Sequence, residues 1–102
     1  MRCILGLVIA GVIATASWYE SGDFTANGEV FNPDSNTCAS NSYPFNTVLK
    51  VTNISNGRST YCRVNDRNGG VRYGRAIDLS RKTFSDIAEL DKGVIQVRIE
   101  TK

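Results

Sequence analysis

The chain has 102 residues, 41% hydrophobic, 22% charged and 9% aromatic, with a formal net charge of +2, three cysteines and no histidine. That length sets a ceiling of one small domain, and the hydrophobic content argues against intrinsic disorder. The missing imidazole excludes Ser-His-Asp triads and Cys-His thiol proteases, and twelve Lys+Arg against ten Asp+Glu is too even a balance for a dedicated nucleic-acid binder.

The first element is a leader. Arg2 supplies one positive charge, an apolar run follows from Cys3 to Ile13, and Ala14-Thr15-Ala16 is a small-residue site of the A-x-A kind. This pattern predicts a secretory signal peptide over residues 1–16, a domain over residues 17–102, and a secreted or periplasmic protein. The uncharged stretch from Cys3 to Ala16 is shorter than the roughly 20 residues a spanning helix needs, so no stable membrane insertion is expected after cleavage. Cys3 precedes the apolar run, which argues against lipidation of that thiol.

Without the leader about 86 residues remain, and a chain of that size buries only about 60 to 65% of its unfolded surface, so its core is thin and a staple would help. Cys38 and Cys62 form an even pair, which in an oxidising compartment reads as a disulfide worth on the order of 3 kcal/mol. The alternative is two buried free thiols. Two thiols without a histidine are too few soft ligands for a metal, and no metal or other cofactor is expected.

Turn signals punctuate the remaining sequence at Asn27-Gly28, Asn32-Pro33-Asp34, Asn56-Gly57 and Asn68-Gly69-Gly70. Strands are predicted at Ser17-Trp18-Tyr19, over Thr47 to Asn53 and Ser59 to Asn65 as a hairpin about Asn56-Gly57, over Ala76 to Leu79, and over Gly93 to Glu100. In the last, Ile95, Val97 and Ile99 share one face and Gln96 and Arg98 the other. One helix is predicted, capped by Ser80, with Phe84, Ile87 and Ala88 at helical spacing and Gly93 past its end. Many short strands with one helix point to a small β-barrel, because closure hides strand edges.

Any acid/base chemistry must fall to carboxylates. Glu29 follows the Asn27-Gly28 turn at a strand start; Asp66 lies past Ser59 to Asn65 and shares parity with Cys62 and Val64, at a barrel mouth; Asp78 points away from the apolar face of Ile77 and Leu79. Each also has a plain reading, as a turn-forming acid, a strand-end Asx turn, or a surface charge paired with Arg75. Arg58, Arg63, Arg67, Arg72 and Arg75 surround Asp66 in sequence, either as a groove for an anionic polymer or as a solvated face. Trp18, Tyr19, Tyr43, Phe45 and Tyr73 are sugar-stacking candidates or core aromatics. Asn53-Ile54-Ser55 is a glycosylation sequon, relevant only in a eukaryotic secretory pathway.

Taken in order, Ala16-Ser17-Trp18-Tyr19, Phe24-Thr25-Ala26-Asn27-Gly28-Glu29, Thr37-Cys38-Ala39-Ser40, Pro44-Phe45, Val51-Thr52-Asn53, Asn56-Gly57-Arg58-Ser59, Arg63-Val64-Asn65-Asp66-Arg67, and Gly74-Arg75 with Ile77-Asp78-Leu79-Ser80 resemble the rare lipoprotein A (RlpA-like) family across essentially the whole mature chain. The resemblance implies an all-β fold, a six-stranded double-psi β-barrel with one short helix. It also implies a peptidoglycan lytic transglycosylase that cuts between N-acetylmuramic acid and N-acetylglucosamine and leaves 1,6-anhydro ends. The family's catalytic aspartate falls on Asp66 and its glutamate on Glu29, while its functional histidine falls on Ser40, a departure because serine carries no titrating ring near neutral pH.

By the same resemblance Asp78 matches an aspartate of the polysaccharide-facing groove of the related expansin barrels, and Arg67 and Tyr19 are expected as supporting or substrate-binding residues. Cys38 and Cys62 are a second departure, and their bond would pin the loop bearing Ser40 to the strand leading to Asp66. A monomer acting on glycan strands is expected. The alternative is a non-catalytic, expansin-like module that binds or loosens polysaccharide.

Overall fold

The computed structural model describes residues 11–69 and 74–102 of the chain. The leader up to residue 10, Gly70, Arg72 and Tyr73 lie outside the described residues. In chain order come β1 (Val12–Tyr19), β2 (Thr37–Ala39), β3 (Val48–Asn53), β4 (Ser59–Asp66), β5 (Ile77–Ser80), α1 (Arg81–Ile87), a 3-10 turn over Leu90–Lys92, and β6 (Val94–Thr101). The six strands close into a barrel in the order β1-β5-β2-β4-β3-β6. β1 with β5 and β2 with β4 are parallel, and the other four neighbours are antiparallel. Closure gives every strand two partners, so no strand is left with an edge.

β1 begins at Val12, and Val12 to Ser17 pair in register with Ile99 to Val94 of β6. The domain boundary expected at Ser17 therefore falls inside β1. Ala16, the last residue of the A-x-A site, is fully buried in the core.

The predicted hairpin is present, with Leu49 opposite Cys62 and Val51 opposite Thr60. Its turn closes where the Gly57 N–H, at φ 76°, donates to the Asn53 carbonyl at 2.8 Å. The Asn53 and Asn56 side-chain amides both donate to the Ile87 carbonyl, at 2.9 and 3.0 Å, and so satisfy the last turn of α1. Asn53 is buried with its amide engaged, which closes the sequon to modification in the folded domain.

Ser80 caps α1 as its sequence position predicts, accepting from the Thr83 N–H at 3.2 Å, and Phe84 and Ile87 are fully buried. Leu49, Val51, Val64, Ile77, Leu79 and Val97 fill the barrel from the strands. Trp18, Tyr43 and Phe45 pack against this cluster half-buried, as core aromatics. β2 was not among the predicted strands. With only three residues it offers no run of alternation to read.

Cys38 and Cys62 are disulfide-bonded across β2 and β4, both buried, with Cα atoms 5.8 Å apart. The bond lies one residue before the shift in β2–β4 register that shapes the site.

Candidate active site

Strand register lines up four residues. Ser17 lies opposite Asp78, Asp78 opposite Ala39, and Ala39 opposite Asp66, a single row across β1, β5, β2 and β4. Adjacent strands run about 4.8 Å apart, so the backbones of Asp66 and Asp78 are separated by about 10 Å, with Ala39 between them in the row. Regular alternation would put Asp66 on the face of Cys62 and Val64. The register shifts between Cys38 and Ala39 instead: Cys38 pairs with Val64, Ala39 with Asp66, and Asn65 is passed over. A bulge of this kind re-aims a side chain, and here it moves Asp66 into the row of Asp78.

Three donors hold the half-buried Asp66 carboxylate. The Ala26 and Arg67 N–H groups bond Oδ1, each at 2.9 Å, and the Tyr19 hydroxyl bonds Oδ2 at 3.1 Å. Tyr19 is held in turn by stacking on Phe31, with centroids 4.6 Å apart. Burial first, and then the negative charge of Asp66, its hydrogen bond and the charge of Asp78, push the Tyr19 phenol far above its usual range. It is therefore a permanent donor at working pH. On the far side of Ala39, Asp78 accepts from the Ser17 hydroxyl.

Glu29 sits at the end of a turn laid over the end of β4. The Thr25 N–H donates to the Glu29 carbonyl at 2.8 Å, the Gly28 N–H (φ 92°) to the Thr25 carbonyl at 2.9 Å, and the Asn27 N–H to the Asn65 carbonyl at 3.2 Å. The carboxylate takes both arms of the Arg63 guanidinium at 2.9 Å and the Asn65 amide at 3.0 Å. The Arg63 fork foremost, with help from Asn65, holds the Glu29 carboxyl down at about 2, against the small opposing effect of burial. Glu29 is an anion and an acceptor, and has no proton to give near neutral pH.

Ser40 is buried, and its hydroxyl accepts from the Ser42 N–H at 3.1 Å. Its own N–H donates to the Asp66 carbonyl at 3.1 Å, so its link to Asp66 runs through the backbone. Arg67 clamps the same loop. Its Nη1 donates to the Ser40 and Tyr43 carbonyls at 2.8 and 3.1 Å, and its guanidinium lies 3.8 Å from the centre of the Phe45 ring.

The structure thus brings Asp66, Tyr19, Ser40 and Arg67 together at the end of β4, joins Glu29 to them through the Thr25–Glu29 turn, and sets Asp78 two strands away. The sequence places Arg63 among the arginines around Asp66, as a polymer groove or a solvated face, and Asn65 only in the family motif; it does not show that both grip Glu29. The available signal was alternation on β4, which turns Arg63 away from the core residues Cys62 and Val64.

Residues 12–99 match a family model described as lytic transglycolase. The chain is 47% identical over 90 residues to a probable endolytic peptidoglycan transglycosylase RlpA of Nostoc sp., covering 83% of this chain and 24% of that protein. It is 44% identical over 88 residues to the endolytic peptidoglycan transglycosylase RlpA of Campylobacter jejuni, covering 83% and 32% respectively. The chain therefore spans only about a quarter to a third of the length of such relatives.

Among solved structures, the Streptomyces papain inhibitor superposes with a TM-score of 0.75 at 22% identity, over 89% of this chain and 93% of that one. An expansin mutant of Clavibacter michiganensis in complex with cellohexaose gives 0.72 at 20% identity, over 90% and 50%. These share the fold, the six-stranded double-psi β-barrel with one short helix.

Proposed function

The chain belongs to the lytic transglycolase family, and from that premise we propose that it is an exported peptidoglycan lytic transglycosylase that cleaves the bond between N-acetylmuramic acid and N-acetylglucosamine. One observation carries the reading: the register shift on β4 presents Asp66 in a row with Asp78, held by three donors.

In the reaction the protonated Asp66 carboxyl gives its proton to the glycosidic oxygen, the bond to the muramic acid C1 breaks, and an oxocarbenium-like centre forms. The Asp66 carboxylate then takes the proton of the C6 hydroxyl of the same sugar as that oxygen attacks C1. The new C–O bond closes the 1,6-anhydro ring and the aspartic acid is regenerated, with no water consumed. An internal nucleophile replaces a second activating base with proximity, so one acid/base suffices. Tyr19 stays protonated and fixes one carboxylate oxygen, and Glu29 supports the site as an anion. Asp78, held by the buried Ser17 hydroxyl, supplies a polar group on the far side of Ala39 for sugar hydroxyls.

Ser40 favours a second reading. With a buried serine where the resemblance places a histidine, the same row of residues would bind glycan without cutting it, as an expansin-like module. Purified sacculi, with and without stem peptides, decide between the two. Soluble fragments with 1,6-anhydro ends, lost in Asp66→Asn, support the enzyme, and binding without release supports the module.

A further inference from the structure

Both oxygens of the Glu29 carboxylate are engaged by β4. Arg63 Nη1 and Nη2 bond Oε2 and Oε1, each at 2.9 Å, and Asn65 Nδ2 bonds Oε1 at 3.0 Å. A carboxylate gripped in this bidentate way is close to neutral as seen from a sugar, so it offers little field to a developing positive charge. What the grip does have is a mechanical path to Asp66. The Thr25–Glu29 turn is closed by its own hydrogen bonds, and its Ala26 N–H is one of the three donors to the Asp66 carboxylate.

Arg63 also reaches the opposite side. Its Nη1 donates to Asn46 Oδ1 at 2.9 Å, where Asn46 adopts a left-handed φ of 74° and its own N–H donates to the Val64 carbonyl at 2.7 Å. Asparagine is among the few side chains that tolerate that conformation. One guanidinium thus ties together the two loops that flank the reacting end of β4.

We propose that Arg63 is a positioning residue for glycan cleavage. Its fork on Glu29 fixes the Thr25–Glu29 turn, the Ala26 N–H of that turn orients Asp66 Oδ1, and Glu29 acts through this linkage and not on the sugar. The inference rests on Asp66 being the acid/base of a transglycosylase. A turn displaced by about 1 Å costs on the order of 100-fold in rate, which is ample for a residue that never meets substrate.

The test compares Glu29→Gln, Arg63→Gln, the double variant, Arg63→Lys and the charge-swapped pair Glu29→Arg/Arg63→Glu. Each is assayed for kcat and KM on glycan strands and for exchange of the Ala26 amide by NMR, with thermal melts to set aside unfolded variants. The single variants are expected to lose about 10- to 100-fold in kcat with KM near that of the parent, and the double variant to lose no more than the singles. Arg63→Lys keeps the charge without the fork and falls between. The swapped pair recovers most of the loss, and Ala26 exchange is faster in each single variant and slow again in the swap.

The proposal is overturned if Arg63→Gln keeps full kcat, or if the two single losses multiply in the double variant. It is also overturned if the swap restores Ala26 protection without restoring cleavage, since Glu29 would then act on the sugar itself. A parent protein that cleaves nothing defeats the transglycosylase reading separately. Ala26 exchange then still decides the positioning role, and an unchanged rate in Arg63→Gln removes it.

Discussion

The Tyr19 hydroxyl donates to Asp66 Oδ2 at 3.1 Å while the Tyr19 ring stacks on Phe31, so a residue of the first barrel strand sets the orientation of a carboxylate at the end of the fourth. Tyr19 and Asp66 are 47 residues apart in sequence. Two strands separate β1 from β4 in either direction around the barrel, so the contact joins ends of strands that are not paired with each other.

Tyr19→Phe keeps the stack and deletes one of three donors. Stability should fall by about 1 kcal/mol, the net worth of a half-buried hydrogen bond. Cleavage should lose about 10-fold in kcat with KM little changed. Unchanged kcat with a lowered melting temperature would reduce Tyr19 to a packing role.

Glu29 gives the fold a pH signature. Its carboxyl is depressed from an ordinary 4.5 to about 2, so the contribution of this group is fully present above about 4.5 and is lost as pH falls towards 2. Arg63→Gln removes the main cause of that depression. The melting-temperature gap between parent and variant should be constant above pH 5 and close progressively down to pH 2. A gap independent of pH over that range would show that the ion pair does not couple to folding.

The Cys38–Cys62 bond spans a sequence separation of 24 and joins the strand leading to Ser40 with the strand leading to Asp66. Loop closure of that length stabilises by roughly 3 kcal/mol. For a domain of this size that corresponds to a fall of about 10 to 20 °C in melting temperature on full reduction. Equal melting temperatures in oxidised and fully reduced samples would count against the bond as a staple.

Ser40 separates two roles. If its hydroxyl serves only the Ser42 N–H, Ser40→Ala costs about 1 kcal/mol of stability and leaves KM for glycan at the parent value. A raised KM at full folding would instead put the hydroxyl on the sugar.

Processing of an exported form is constrained by β1. Cutting after Ala16 would remove five of the eight β1 residues and most of the β1–β6 ladder. The N terminus of a secreted, folded protein, read by Edman degradation or mass spectrometry, should lie at or ahead of Val12. A folded, active product beginning at Ser17 would contradict this.

The parts legible in the sequence were those with a period or a cap. Ile95, Val97 and Ile99 alternate, Ser80 caps the helix bearing Phe84 and Ile87, and Asn56-Gly57 closes the hairpin. Three things were not legible, each for a physical reason. Val12 and Ile13 are apolar whether they belong to a leader or to a strand, so hydropathy could not divide the two. The Thr37–Ala39 strand is too short to show alternation, although its residues carried part of the family resemblance.

Parity on β4 also misled, because it assumes an unbroken ladder. Asp66 is singled out as a candidate through its neighbours Asn65 and Arg67, but its facing depends on pairing with Ala39, a relationship across strands that no local pattern records. The pairing of Arg63 with Glu29 is hidden for a related reason: the two lie 34 residues apart.

Asn65 is the residue the β2–β4 ladder skips, and it is not idle: its carbonyl receives the Asn27 N–H and its amide holds Glu29. Deleting it would give the barrel a smoother seam with Asp66 still opposite Ala39, but it would strip the overlying turn of two anchors at once. At this point the chain holds two designs in opposition, an ideal cylinder and a working mouth, and the surplus residue decides for the mouth.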